Sequence, residues 1–212
     1  MDIGIVISTK EELNNLLNSL STNCDYYEAT HLKDDVVLMK MRENNFYFYV
    51  SGIGQLNATI ACSKLNNQFG CKMVYSIGTC KQLIVKNQYD VGSIIEFKNN
   101  ILNLGFKIKP RKFHYDNANV SDYMDVLSPR YNLLLTSDNV KEENITFTPH
   151  LKLNRYDDVF IDTEAYGVLS YSVKNDISFR IIKVVVEDIF DVNFLDDIVY
   201  NNLYNYLKNV FI

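Results

Sequence analysis

Ile3-Gly4-Ile5-Val6-Ile7-Ser8-Thr9-Lys10-Glu11-Glu12-Leu13 opens the chain with a short apolar run closed by two hydroxyls and two acids. Leu13, Leu16, Leu17 and Leu20 then recur on one helical face, so the stretch reads as a strand feeding a helix through a polar turn. The same grammar returns along the chain. Phe46 to Val50 runs into Ser51-Gly52-Ile53-Gly54 and a helix over 55–69, and Asp35 to Met41 precedes it across a Glu43-Asn44-Asn45 hairpin turn. Met73 to Ile77 reads as a buried strand ending at Gly78-Thr79, and Ser93 to Phe97 as another after the turn at Val91-Gly92. Val159 to Asp162 leads into a helix over 163–173, and the β-branched run Phe179 to Val186 ends at Glu187-Asp188. Helical spacing from Phe194 to Phe211 predicts a terminal helix, while residues 99–130 are polar and irregular. Strands alternating with helices predict an α/β fold, a three-layer α/β/α sandwich around a central mixed sheet, with residues 1–212 forming a single domain.

Composition narrows the partners. The 212 residues are 47% hydrophobic, enough for a sizeable core, and 26 acids against 21 bases leave a net charge of -5. That balance lacks the basic excess of a nucleic-acid binder or of a protein drawn to anionic membranes. The N-terminus lacks the pattern of a signal peptide, and no apolar run approaches the roughly 20 residues of a membrane helix. Cys24, Cys62, Cys71 and Cys80 are scattered, without the spacing of a zinc site. Reduced thiols, a cytoplasmic location, a small-molecule partner and no bound metal are the expectations.

The chemistry that remains belongs to carboxylates. Ligands of α/β sheets bind beyond the carboxyl ends of strands, and acids or tight glycine loops stand at those ends here. If the strands are mostly parallel, Glu11-Glu12, Glu164 and Glu187-Asp188 converge with Ser51-Gly52-Ile53-Gly54 and Gly78-Thr79 on one pocket. Each acid also has a plain structural reading. Thr9 and Glu12 fit a capping box, whereas Ser8 capping with Glu11 would free Glu12 for chemistry. Glu164 suits a helix start on electrostatic grounds alone. Cys80 reads either as a nucleophile or as a small buried thiol lining the turn. His31, His114 and His150 are dispersed, and no GxSxG, GxGxxG or GxxxxGK[ST] motif is present.

In this order the elements resemble the nucleoside phosphorylase/nucleosidase superfamily, specifically the 5′-methylthioadenosine/S-adenosylhomocysteine nucleosidases. Ile3-Gly4-Ile5-Val6 followed by Glu11-Glu12 is similar to that family's IGII…EEE, and Ser51-Gly52-Ile53-Gly54 matches SGIG. Ser76-Ile77-Gly78-Thr79-Cys80 stands where the family has NTGSA, Val91-Gly92-Ser93-Ile94-Ile95 resembles VGDIV, and 115–120 resembles YHDADV. Thr136-Ser137-Asp138 falls at SGD, Asp162-Thr163-Glu164-Ala165 at EMEA, and Val186-Glu187-Asp188 at ISD. The likeness runs from residue 3 to about 190.

The resemblance implies a phosphorylase/hydrolase-like fold and cleavage of an adenine-type nucleoside without a cofactor. Glu12 would activate the attacking water, Glu164 would hold the ribose hydroxyls, and Asp188 would protonate the departing base at N7. The pocket would be lined by Ser51, Gly52, Ile53, Gly78, Thr79, Thr163 and Glu187, with Val140 in place of the aromatic that stacks on adenine, or Phe147 if the loop is shifted. The resemblance also implies a homodimer, for which the segment 99–130 is a candidate interface. Departures fall on the pocket: Cys80-Lys81-Gln82 replaces the family's AGG, Thr163 replaces a methionine, and Glu187 replaces a serine. The superfamily's phosphorylases hold phosphate with arginines, one of which corresponds to Ser76. The chain's arginines are Arg42, Arg111, Arg130, Arg155 and Arg180, none within these motifs. Since arginine is the usual bidentate phosphate ligand, water is the expected nucleophile.

Overall fold

The computed structural model describes residues 1–23, 28–32, 36–41, 43–84, 89–97, 101–103, 132–136, 158–187 and 197–211. Strands β1 (Asp2–Ile7), β2 (Glu28–His31), β3 (Val36–Met41), β4 (Asn44–Val50), β5 (Met73–Ile84), β6 (Ile94–Phe97), β7 (Ile101–Asn103), β8 (Leu133–Thr136), β9 (Val159–Asp162) and β10 (Ser178–Val186) share one mixed sheet. Four helices accompany them among the described residues: α1 (Lys10–Asn23), α2 (Gln55–Phe69), α3 (Ala165–Lys174) and α4 (Asp197–Phe211).

The strands sort their side chains by period two. Ile3, Ile5 and Ile7 of β1 join Leu13, Leu16 and Leu20 of α1 and Leu203 and Leu207 of α4 in one cluster. Val6, one residue out of phase, joins Ala58, Cys62 and Leu65 of α2 and Ala165 and Val168 of α3 in the other. The two apolar faces of the sheet are thus covered by helix pairs, which is the expected three-layer sandwich. Helix α2 ends at Gly70, whose φ of 70° closes the last turn with its N–H on Asn66 O.

One expectation is corrected. Met73–Ile77 is not a complete strand, because β5 continues through Gly78, Thr79, Cys80, Lys81 and Gln82 to Ile84. The reason is that β10 stays paired along it from Met73 to Lys81, supplying backbone partners past the glycine. The sheet is mixed, as expected. β1, β4, β5 and β10 run together, but β9 is antiparallel to β5. The short edge strand β2 was not anticipated; all four of its residues are exposed, so no apolar face announces it.

This pairing produces a fork. One edge of β5 pairs with β1 over Met73 to Ser76, then with β9 from Lys81 onward. Between those stretches neither neighbour is in register with Ile77, Gly78, Thr79 or Cys80. The sheet opens there while β10 holds the opposite edge together.

Helices α2 and α3 pack unusually closely at Gly167, where a Cβ would lie 2.2 Å from Gln55 O. A methyl group cannot share that space with a backbone oxygen. Gly167→Ala should therefore destabilise the fold by roughly 3 kcal/mol in urea unfolding; an unchanged midpoint would refute the close contact.

Candidate active site

The fork collects four buried charged groups. Glu12 arrives on the first turn of α1, Asp162 at the end of β9, Glu164 at the start of α3 and Lys183 from the middle of β10. Lys183 is in register with Gly78, the residue at which the sheet opens.

Glu12 resolves the ambiguity of the opening motif by doing two things at once. Its backbone N–H donates to Thr9 Oγ1 (3.1 Å) and Thr9 N–H donates back to Glu12 Oε2 (3.1 Å), a complete capping box. The Ser8 hydroxyl also donates to Oε2. The other oxygen, Oε1, faces the fork, 3.5 Å from where a Cβ on Gly78 would be. Lys183 Nζ lies 3.4 Å from the same point. A Cβ on Gly78 would make ordinary van der Waals contact with both groups, so Gly78 marks the point where they meet.

Asp162 is the best-satisfied acid. Its Oδ1 accepts from Thr136 Oγ1 (2.7 Å), its Oδ2 accepts from Ala165 N–H (2.9 Å), and Lys183 Nζ stands 2.8 Å from Oδ2. Glu164 is held more loosely. Lys183 Nζ is 3.7 Å from its Oε2, Gly54 N–H donates to its Oε1 at 3.4 Å, and the Thr163 hydroxyl donates to the same oxygen. The Gly54 contact ties the glycine loop to the acid. That loop depends on Gly52 (φ 82°) and Gly54 (φ 109°), conformations that a side chain disfavours.

Burial dominates the electrostatics. It works against the charge on Lys183, but Asp162, Glu164 and Glu12 outweigh it and hold the ammonium above the ordinary lysine range. Glu164 is pushed up to about 7, first by burial and then by Asp162 and Glu12, against the pull of Lys183 and the Thr163 hydrogen bond. Cys80 is fully buried and its thiol is pushed up by burial, despite Lys183 nearby. This settles Cys80 as an inert core thiol, not a nucleophile.

The other expected residues fall around this cluster. Thr79 and Gly78 line a narrow cleft with Ile7, Glu12, Ile77 and Val184. Ser51 and Gly52 follow β4, with Ser51 N–H on Ile7 O and Gly52 N–H on Ser8 O, so the glycine loop is fastened to the turn before α1. Ile53 is 50% exposed, and Glu187 is exposed at the end of β10. Thr163 is buried beside Glu164. Asp188, Val140 and Phe147 lie outside the described residues, as does most of 99–130. Lys183 was absent from the sequence-based site. Its signal was available: one lysine within Ile181-Ile182-Lys183-Val184-Val185-Val186, a run otherwise built for burial.

This arrangement of strands and helices matches solved structures over nearly its full length. Native futalosine hydrolase of Helicobacter pylori superposes with a TM-score of 0.68 at 14% identity, covering 100% of this chain and 97% of that one. The chain has the nucleosidase fold. The 5′-methylthioadenosine/S-adenosylhomocysteine nucleosidase of H. pylori with butyl-thio-DADMe-Immucillin-A gives 0.68 at 13% identity, covering 100% and 97%. That of Campylobacter jejuni gives 0.64 at 14%, covering 99% and 96%. No protein-family model matches the chain, and no curated protein matches it in sequence. The likeness is one of fold, at 13–14% identity.

Glu164 ties stability to pH. Folding raises its carboxyl from 4.5 to about 7, so between those values the folded protein holds more protons than the unfolded chain. Its contribution to stability is full below the lower value and is lost as pH rises through about 7. Glu164→Gln, which mimics the protonated acid, should gain in melting temperature on the wild type between about pH 5 and pH 8. Melting curves that stay parallel across that range would show that Glu164 does not titrate there.

Proposed function

We propose that the protein hydrolyses the N-glycosidic bond of a purine nucleoside, with 5′-methylthioadenosine and S-adenosylhomocysteine as the first candidates. The observation that carries this reading is that Glu12 Oε1 and Lys183 Nζ border the opening above Gly78, with Glu164 Oε2 3.7 Å from that ammonium. Breaking the bond builds positive charge on the sugar and negative charge on the base. An ionised carboxylate is needed beside the sugar and a proton donor beside the base. Glu12, with Oε2 fixed by Ser8 and Thr9, leaves Oε1 to orient water and take its proton as oxygen attacks C1′. Glu164, at the mouth of α3, accepts hydrogen bonds from the ribose hydroxyls. The glycosidic electrons leave with the base, which receives a proton at N7 from Asp188. Thr79, Ser51, Gly52, Ile53, Thr163, Val140 and Glu187 complete the surroundings in this reading.

Water is favoured over phosphate by charge. Lys183 stands at the fork already facing Asp162 and Glu164, with Glu12 near. A single ammonium among three carboxylates repels a phosphate dianion more than it attracts one. Arg180 forms a two-point pair with Glu96 (2.9 and 2.8 Å), and Tyr206 donates to the same carboxylate. It is held there by that network, away from the Gly78 opening.

The fold's solved members include a futalosine hydrolase, so futalosine belongs in the substrate panel. The working unit in this reading is the whole chain as one domain, paired as a homodimer in the cytoplasm. Incubation with the three nucleosides should release free base equally with and without phosphate, read by chromatography. Strict phosphate dependence would overturn the hydrolase reading. Glu12→Gln should lower kcat by about 100-fold to 10,000-fold, and Asp188→Asn should abolish turnover with the fold intact. Undiminished turnover in either variant would remove that residue from the mechanism.

A further inference from the structure

Lys183 is fully buried in the centre of the sheet, yet it is the residue the nucleosidase reading does not use. Its Nζ is 2.8 Å from Asp162 Oδ2 and 3.7 Å from Glu164 Oε2, and it borders the same opening above Gly78 as Glu12 Oε1. One positive charge therefore serves three carboxylates drawn from α1, from β9 and from the start of α3. Among the described residues, the Cys80 thiol on β5 is a further titratable group that Lys183 and Asp162 act on, and burial pushes it up.

The three acids do not share the ammonium equally. Asp162 is nearest and also accepts from the Thr136 hydroxyl and the Ala165 amide, so its side chain is held from three directions. Glu12 has Ser8 and Thr9 on Oε2. Glu164 has the Thr163 hydroxyl and a 3.4 Å amide contact on Oε1 and the longer ion-pair distance from Oε2, and it feels the negative charge of both other acids. Its hydrogen bonds fall on Oε1, and Lys183 is the group that faces its Oε2.

We propose that Lys183 is a positioning residue: a shared counter-ion that keeps Glu164 in the ionised form able to accept the ribose hydroxyls. The proposal rests on the reading of Glu164 as the ribose-binding acid. It makes nucleoside affinity rise with pH, because deprotonation of Glu164 creates the acceptor. The direction agrees with a carboxyl held near 7 by burial while Lys183 pulls it down. Asp162 competes for the same ammonium and so sets how much of its charge reaches Glu164.

The test is a carbon-13 carboxyl NMR titration of the full chain, with the Glu164 resonance identified by its loss in Glu164→Gln. In Lys183→Met the Glu164 inflection should move up by about one pH unit or more, and Lys183→Arg should return it toward the wild-type value. In Asp162→Asn, which retains a side chain able to cap α3, the inflection should move down as Lys183 turns to Glu164. An unmoved or lowered inflection in Lys183→Met overturns the proposal. If that variant does not fold, an unmoved or raised inflection in Asp162→Asn does so. Calorimetry with 5′-methylthioadenosine supplies the functional arm: binding to Lys183→Met should be weakened at neutral pH and recover above the new inflection. Shifts seen by NMR without binding of any nucleoside would defeat the nucleosidase reading while leaving the counter-ion role intact.

Discussion

A charged amine placed in the middle of a sheet must be met by carboxylates or lose its proton. Lys183 imposes that requirement here, and much of the surrounding structure answers it. Asp162 supplies the nearest oxygen, and it can do so only while Thr136 and the Ala165 amide hold its side chain in place. The Thr136 hydroxyl in turn accepts from Tyr166 N–H, joining β8 to the first turn of α3. Strands β8, β9 and β10 and helix α3 are therefore fixed to one another around a single ammonium. Glu164 follows Asp162 by two residues, so fixing one acid determines where the other enters the fork.

The second requirement is space. β5 could have paired continuously along one edge with a single neighbour, which would have left no room for a ligand among buried carboxylates. Instead β1 leaves its edge at Ser76 and β9 joins only at Lys81, while β10 carries the backbone across the interval. Gly78 sits inside that interval with nothing but a hydrogen where Glu12 and Lys183 approach. The missing edge partner is what opens the interval, and Gly78 marks where the acid and the ammonium meet within it.

The sequence makes the layers legible because they follow from periodicity. Ile3, Ile5 and Ile7 against Val6 announce two buried faces, and the leucines of α1 announce the helix that covers one of them. It also places Glu12, Ser51-Gly52-Ile53-Gly54 and Glu164 correctly after their strands. What local pattern does not carry is strand direction and strand end. Gly78 looks like a terminator, and only the long-range pairing with β10 shows that it lies inside a strand. β9 looks like its parallel neighbours, since all four of its residues are buried whichever way it runs. Lys183 escaped notice for a related reason: its meaning comes from Asp162 and Glu164, which are distant in sequence and become its neighbours only in the folded sheet.

Fastening of the glycine loop to Ile7 and Ser8 gives the fork a further property. Asp162 and Lys183 are spaced along the ladder by the registers of β5 against β9 and β10, and the turn that leads to Glu12 and the loop that carries the glycines are tied together at the end of β1. Loops can lengthen, shorten or change composition while that ladder keeps the same gauge. A chain built this way drifts freely at its periphery, and its shape outlasts the resemblance of its letters. Superposition at a TM-score of 0.68 with 14% identity is what such a scaffold leaves behind.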